Sequence, residues 1–253
     1  MNIFKQLIKS IYSPSDIATF INQRKRKSIL FIFILALITL LPSTFTIGQT
    51  IIQSKNEIID VINNEMPDFT IKNNQLVSTE QAPIIYNGDQ LTYIFDSTNS
   101  LTATDITDSS TVAFLSNGIY ITGEFFSYDL IGIQSKSDLN ILFEPITNSN
   151  TLIYTVLTAI YVSSAIVLFL VLNIEVALIS LIGVLLSRKT YKFAQMYTIV
   201  PYTMTLTTVF FFIMDSLKII VPFASFTALF VTLIVLYLTI IELRKTDDKQ
   251  SLV

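Results

Sequence analysis

Residues 24–48 read RKRKSILFIFILALITLLPSTFTIG, and this stretch decides the class of the protein. Four consecutive cations, Arg24, Lys25, Arg26 and Lys27, precede an uncharged apolar run from Ser28 to Ile47 that closes at Gly48. A helix of about twenty residues rises roughly 30 Å, the thickness of a bilayer's hydrocarbon core. Lys and Arg are retained on the cytoplasmic face, so the block orients this span with the N-terminus inside and the chain after Gly48 outside. The run is longer than the apolar core of a cleaved signal and no A-x-A-like site follows it, so the span is expected to stay in the protein.

The composition of the 253 residues agrees. The chain is 51% hydrophobic with a mean hydropathy of +0.61. Only 14% of residues are charged, against about 25% in soluble domains. With no Cys there are no disulfides, thiolate metal sites or Cys nucleophiles. With no His, Ser-His-Asp catalysis and His-ligated metals are also excluded. Charge is segregated: residues 49–150 hold 13 acids and three bases, Lys55, Lys72 and Lys136, while the rest of the chain is net positive.

N-terminal to the decisive stretch, Ile3, Phe4, Leu7, Ile8 and Ile11 recur at helical spacing with Lys5 and Lys9 between them. Such a helix lies either in the inner headgroup layer or on the protein's own cytoplasmic face. Ser13-Pro14-Ser15-Asp16 opens a second helix, with Ser13 as cap and Pro14 at its first position.

C-terminal to it, Thr50–Asn64 keeps a helical period and reads as a stalk that ends at Met66-Pro67-Asp68. The period then changes to short strand-like runs: 69–72, 75–78, 83–86 and 91–95. Turn formers at Asn73-Asn74, Asn87-Gly88-Asp89 and Asp96-Ser97 separate them. The best hairpin candidate is Val112–Leu115, Ser116-Asn117-Gly118 and Ile119–Thr122, with Asn-Gly expected to supply positive φ angles at the turn. One small antiparallel sheet, covered on one side by the stalk, is expected here.

Leu152–Leu186 carries a single charge, Glu175. Two crossings within it would place Arg188, Lys189 and Lys192 outside, with Arg244 and Lys245, against the positive-inside bias. One long crossing satisfies every charge. Spans 3 and 4 follow at 193–214, with Pro201 inside, and at 219–241, with Pro222 near its start.

Several stretches carry a family resemblance: Asn2-Ile3-Phe4-Lys5-Gln6, Lys9-Ser10-Ile11-Tyr12-Ser13-Pro14, Met66-Pro67-Asp68-Phe69, Ile94-Phe95-Asp96 and the Tyr191–Pro201 entry into the third span. Together they resemble an uncharacterised family of bacterial membrane proteins found mainly in Firmicutes, some members of which are linked to maltodextrin utilisation by their place in maltose operons. The membrane half is loosely similar to the Yip1-like fold. The resemblance implies a plasma-membrane accessory protein tied to carbohydrate uptake, and it carries no catalytic residues over.

The expected architecture is therefore four transmembrane helices with both termini cytoplasmic, and a small extracytoplasmic α+β domain between helices 1 and 2. Its segments are 1–27 (cytoplasmic, amphipathic), 28–48, 49–150 (exported), 151–187, 193–214, 219–241 and 242–253 (cytoplasmic tail). Glu175 is a functional candidate because an ionisable group in an apolar segment is costly. Pro201 can kink or hinge span 3, and Thr203, Thr205, Thr207 and Thr208 after it can bond freed backbone groups or a neighbouring helix. Asp215 and Lys218, spaced i, i+3, can pair at the outer boundary. No phosphate-binding loop, esterase elbow, zincin or Ca²⁺-loop signature is present. The expected protein is non-enzymatic and without cofactor, metal or nucleic-acid partner. It would act as a sensor, scaffold or accessory whose partners are the bilayer and a transporter or envelope complex. The alternative is an oligomeric transport or lipid-handling protein with its path along helices 2–4.

Overall fold

The structure is a computed structural model that describes residues 2–121, 123–147 and 150–251. Among these residues, four helices are long and apolar enough to cross a membrane: Lys25–Glu65, Asn150–Leu186, Phe193–Ser216 and Ala224–Asp248. The chain divides into two units, Met1–Phe45 with Thr158–Val253, and Thr46–Leu157.

The first unit is helical. It contains α1 (Ile3–Tyr12), α2 (Pro14–Ala18), the start of α3 (Lys25–Asp60) and the end of α6 (Asn150–Leu186). It is completed by α7 (Phe193–Thr203), α8 (Thr205–Ser216) and α9 (Ala224–Ser251). Ser13 caps α2 as its spacing suggests, its Oγ accepting from the Asp16 amide at 3.2 Å. The core centres on Tyr202, fully buried with its ring 4.1 Å from that of Phe31 and 4.9 Å from that of Phe20. The face that α1 packs on the protein is mixed: Gln6 and Ser10 are buried and Ile3 and Leu7 pack against the core beside them, while Phe4, Ile8 and Tyr12 are exposed. Tyr202 donates to Gln6 Oε1 at 3.3 Å and Gln6 donates to Gln23 Oε1 at 2.9 Å. An exposed apolar stripe opposite the packed one suits a helix held between protein and lipid.

Pro201 removes a helical donor, and the third membrane helix is interrupted at Met204, between α7 and α8. Thr203 donates to the Val200 carbonyl at 2.8 Å, and Thr207 donates to that of Met204 at 2.7 Å. Thr207 also lies 3.3 Å from Thr232 of α9, so the threonines serve both the broken backbone and the neighbouring helix. The last helix begins at Ala224 rather than at Ile219. Pro222 restrains the residue before it, and Phe223 takes a positive φ of 54° that a helix cannot continue through.

The second unit contains β1 (Phe69–Lys72), β2 (Gln75–Ser78), β3 (Ile84–Asn87), β4 (Thr92–Phe95), β5 (Thr111–Leu115), β6 (Gly118–Ile121) and β7 (Glu124–Ser127). α4 (Tyr128–Ile131) and α5 (Lys136–Thr147) follow, and the end of α3 and the start of α6 complete it. β1 and β2 form a separate hairpin, whose turn residues Asn73 and Asn74 have φ of 52° and 62°. Asn tolerates this region better than most residues. The other strands form one sheet in the order β3-β4-β5-β6-β7. The expectation of a wholly antiparallel sheet is corrected here, because β4 and β5 run parallel. The link between them, 96–110, is long enough for the crossover that parallel pairing requires.

Asp96 organises that crossover. Its carboxylate is fully buried and accepts from the Thr98 amide (2.8 Å), the Thr98 hydroxyl (2.6 Å) and the Leu101 amide (2.7 Å). The crossover covers one face of β5, where Ala113 and Leu115 meet Leu101, Ala103 and Ile106. The other face, Val112 and Phe114, packs with Val61, Ile62 and Met66 at the end of the stalk and with Leu139 of α5.

The β5–β6 hairpin forms as expected, but for a different reason. Leu115 pairs with Gly118, so the turn is Ser116-Asn117 and Gly118 already lies in the strand, with no positive φ at any of the three. A Cβ on Gly118 would lie 2.4 Å from the Phe126 carbonyl oxygen of β7. The glycine permits close strand approach and is not there for turn conformation.

Two predictions follow from these contacts. Gly118→Ala is expected to destabilise the full-length protein by about 1–3 kcal/mol through overpacking, seen as a lower thermal midpoint; an unchanged midpoint would refute the close approach. Burial pushes the Asp96 carboxyl up, and its hydrogen bonds from Thr98, Leu101 and Ser100 outweigh that and hold it below the ordinary value. Its stabilisation is thus present above the unfolded carboxylate pKa of about 3.9 and is lost as pH falls through the lower folded value. Asp96→Asn is expected to lose about 1–3 kcal/mol near neutral pH and to show a shallower acid-side decline than wild type in the same unfolding scans.

Candidate functional site

The cations expected to set topology gather at one end of the helical unit. Ser28, directly after Arg24–Lys27, donates to the Thr198 carbonyl of α7 at 2.9 Å. Arg244 donates to the Leu186 carbonyl at 3.3 Å, beside Arg188 and Lys189. Tyr191, next to Lys192, donates to Asp247 at 2.7 Å, and Lys245 pairs with Glu242 at 2.6 Å.

The other singled-out residues are dispersed. Glu175 is half-buried on α6, between the exposed Ile174 and the buried Val176, and has no hydrogen-bond partner among the described residues. Pro201 sits in the core beside Tyr202. Asp215 and Lys218 do not form the expected ion pair. Lys218 takes a positive φ of 57° as α8 ends, which carries its side chain off the helical i, i+3 register.

A well-formed concave feature lies wholly in the second unit. It is a cavity of about 420 Å³, within the usual 300–1,000 Å³ of ligand pockets. The sheet supplies its floor through Val112 and Phe114 of β5 and Ile119 and Ile121 of β6, alternate residues of one pleated face. α3 supplies one wall through Ile51, Ser54, Lys55 and Ile58, which share one helical stripe. Leu152, Ile153 and Val156 of α6 form a second wall, and Leu139 and Phe143 of α5 a third. Leu91, Ile131 and Ile133 close the remaining gaps. The surface is hydrocarbon almost throughout.

Two polar features border it. Among the described residues lining the cavity, Lys55 is the only charged one; its amine donates to Asn150 Oδ1 at 2.7 Å. Glu57, on the neighbouring stripe of α3, accepts through Oε2 from the Gln90 amide at 3.2 Å, while its Oε1 is buried without a partner. Oε1 lies 1.3 Å from where a Cβ on Gly88 would be, so a side chain there would displace the Glu57 carboxylate and crowd the Leu91 carbonyl oxygen at 2.9 Å. Burial first, and then the Glu57 charge, push the Tyr93 hydroxyl well above its ordinary value, so it stays protonated. Among the described residues, no group of three or more His, Cys, Asp or Glu side chains could hold a metal ion.

None of the cavity-lining residues was singled out as a site from sequence. Ile51 and Ile58 fall in Thr50–Asn64, whose helical period the structure keeps as part of α3 and the turn after it. The signal for more lay in the helix itself: an apolar stripe continuing past the length that a membrane needs has to meet something apolar outside it.

A family model described as a protein of unknown function, DUF1189, matches residues 4–240, and the chain belongs to that family. No curated protein matches, and no solved structure matches.

Proposed function

We propose that this DUF1189 member is a non-enzymatic multi-pass membrane protein whose β-rich unit faces outside the cytoplasm and binds an apolar ligand in its cavity. It would serve as a sensor or accessory to a transporter or envelope complex. The observation that carries the reading is the cavity: a hydrocarbon floor and walls, two of the walls being helices that run on without a break as membrane-length helices. Occupancy there acts on α3 and α6 directly, so ligand binding can bias the helices that a membrane partner would contact. The absence of His and Cys from the chain supports a binding role over catalysis. The hydrocarbon lining argues against a sugar as the cavity's own ligand, since a saccharide's hydroxyls would lose water with nothing to bond. A maltodextrin connection would therefore run through a partner.

The orientation rests on the three basic clusters at one end of the helical unit and on the acidic surplus of the other. The alternative, an oligomeric lipid-handling path along helices 2–4, draws on Glu175, half-buried without a partner. That alternative requires Glu175→Gln to abolish lipid movement in reconstituted vesicles, whereas the preferred reading leaves cavity occupancy unchanged in this variant.

Because the chain lacks Cys, single cysteines report topology cleanly. Thr79→Cys is expected to react with a membrane-impermeant maleimide on intact cells, and Lys189→Cys only after permeabilisation; the reverse pattern would invert the proposed orientation. Native mass spectrometry of the purified protein is expected to show a co-purifying lipophilic molecule. Val156→Trp, a half-exposed wall residue enlarged into the cavity, is expected to exclude it with the thermal midpoint retained. Equal occupancy in the variant would remove the cavity as its site.

A further inference from the structure

We propose that the cavity takes the single acyl chain of an anionic amphiphile, with the charged head held at Lys55. This rests on the apolar-ligand reading above and names the ligand's class.

The chain follows from the lining. The walls offer aliphatic and aromatic carbon and almost no donor or acceptor, so whatever part of a ligand goes in must be hydrocarbon; any inserted polar atom would lose its water without replacement. A volume near 420 Å³ lies toward the lower part of the ligand-pocket range and suits one flexible chain better than the paired chains of a diacyl lipid.

The head follows from Lys55. Its methylene stem lines the wall while its amine reaches outward to Asn150, the arrangement expected of a lysine at an apolar–aqueous border. Asn150 is neutral, so this hydrogen bond leaves the ammonium charge uncompensated. The ion pairs among the described residues are Lys9–Asp16 and Glu242–Lys245, and Lys55 is in neither. A lone cation at the edge of a hydrocarbon cavity is surrounded by a unit whose charge is otherwise heavily negative. An anion is therefore favoured at that point and disfavoured elsewhere on the unit's surface. Lys55 also lies about two helical turns past Gly48, roughly 10 Å along α3 from the end of the apolar run. That distance keeps it close to the headgroup layer, from which an amphiphile's chain can enter without crossing bulk water.

The shared chemistry is one chain and one negative head, which a free fatty acid and a single-chain phospholipid both possess. The test uses the intact protein in nanodiscs of zwitterionic diacyl lipid, with radiolabelled palmitate as probe and hexadecanol, lysophosphatidylglycerol and lysophosphatidylcholine as competitors. Palmitate is expected to bind saturably and to be lost in Val156→Trp. Lys55→Gln is expected to weaken it roughly fivefold, the upper range for one exposed charge pair, with hexadecanol competition unchanged and Lys55→Arg restoring wild-type binding. Competition by lysophosphatidylglycerol as strong as by unlabelled palmitate identifies a phospholipid source, and weak competition identifies the free acid; either supports the class. If hexadecanol or lysophosphatidylcholine competes as well as palmitate and Lys55→Gln changes nothing, the anionic head is wrong while the apolar-ligand reading stands. If no probe binds the wild-type protein, both are overturned.

Discussion

Two apolar helices here are longer than a bilayer's hydrocarbon core is thick. α3 runs 36 residues and α6 runs 37, each close to 55 Å, against roughly 30 Å of hydrocarbon. The surplus turns are still rich in Ile, Leu and Val, and in water those side chains have to be covered. Much of the second unit can be understood as the answer to that requirement. The α3 stripe continues through Ile58 to Val61 and Ile62, and the inner faces of β5 and β6 close over it. A sheet of short strands with no disulfide gains a core from helices whose other ends are secured elsewhere, which eases the limit on what a small domain can bury by itself.

How much of this was legible in the sequence depends on the range of the determining contact. Local signals read well. The cationic block and its apolar run, the Ser13-Pro14 helix start, the Asn73-Asn74 turn and the continuous helix across Leu152–Leu186 each depend on neighbours within a few positions. Non-local pairings did not read. The parallel β4–β5 ladder is closed by a polar crossover that looks like an ordinary loop until Asp96 is seen gathering its amides. Gly118 shows the same limit from the other side. Its place after Asn117 suggested turn geometry, yet its constraint is a carbonyl on β7. The Asp215–Lys218 pair failed because helical spacing was assumed through a residue that turns left-handed.

The N-terminal helix was ambiguous for a physical reason. Its apolar residues define a stripe, and a stripe alone does not tell whether it faces protein or lipid. The structure separates the two sides: Gln6, tied to Tyr202 and Gln23, is buried with Ser10 while Ile3 and Leu7 pack beside them, and Phe4, Ile8 and Tyr12 are exposed. Inside a bundle, polar contacts specify position better than apolar ones, because lipid offers apolar groups an equal home. Tyr202 thus joins the first turns of the chain to the proline-broken third membrane helix.

The cavity poses an energetic question that the rest of the fold sharpens. By the cost of about 24 cal/mol per Å³ for unfilled core volume, 420 Å³ would forfeit on the order of 10 kcal/mol. That is an upper figure for a cavity that opens to the surface, yet it is comparable with the entire stability of a typical domain. The strands beside it are closely fitted: Gly118 is packed to within a methyl group of β7. A chain that fits its strands this closely and still keeps a hydrocarbon-lined space between sheet and helices is best understood as having left room for hydrocarbon. Filling the space would then contribute stability to α3 and α6 at the same time as it reports the presence of the ligand, so binding and signalling would draw on one interaction.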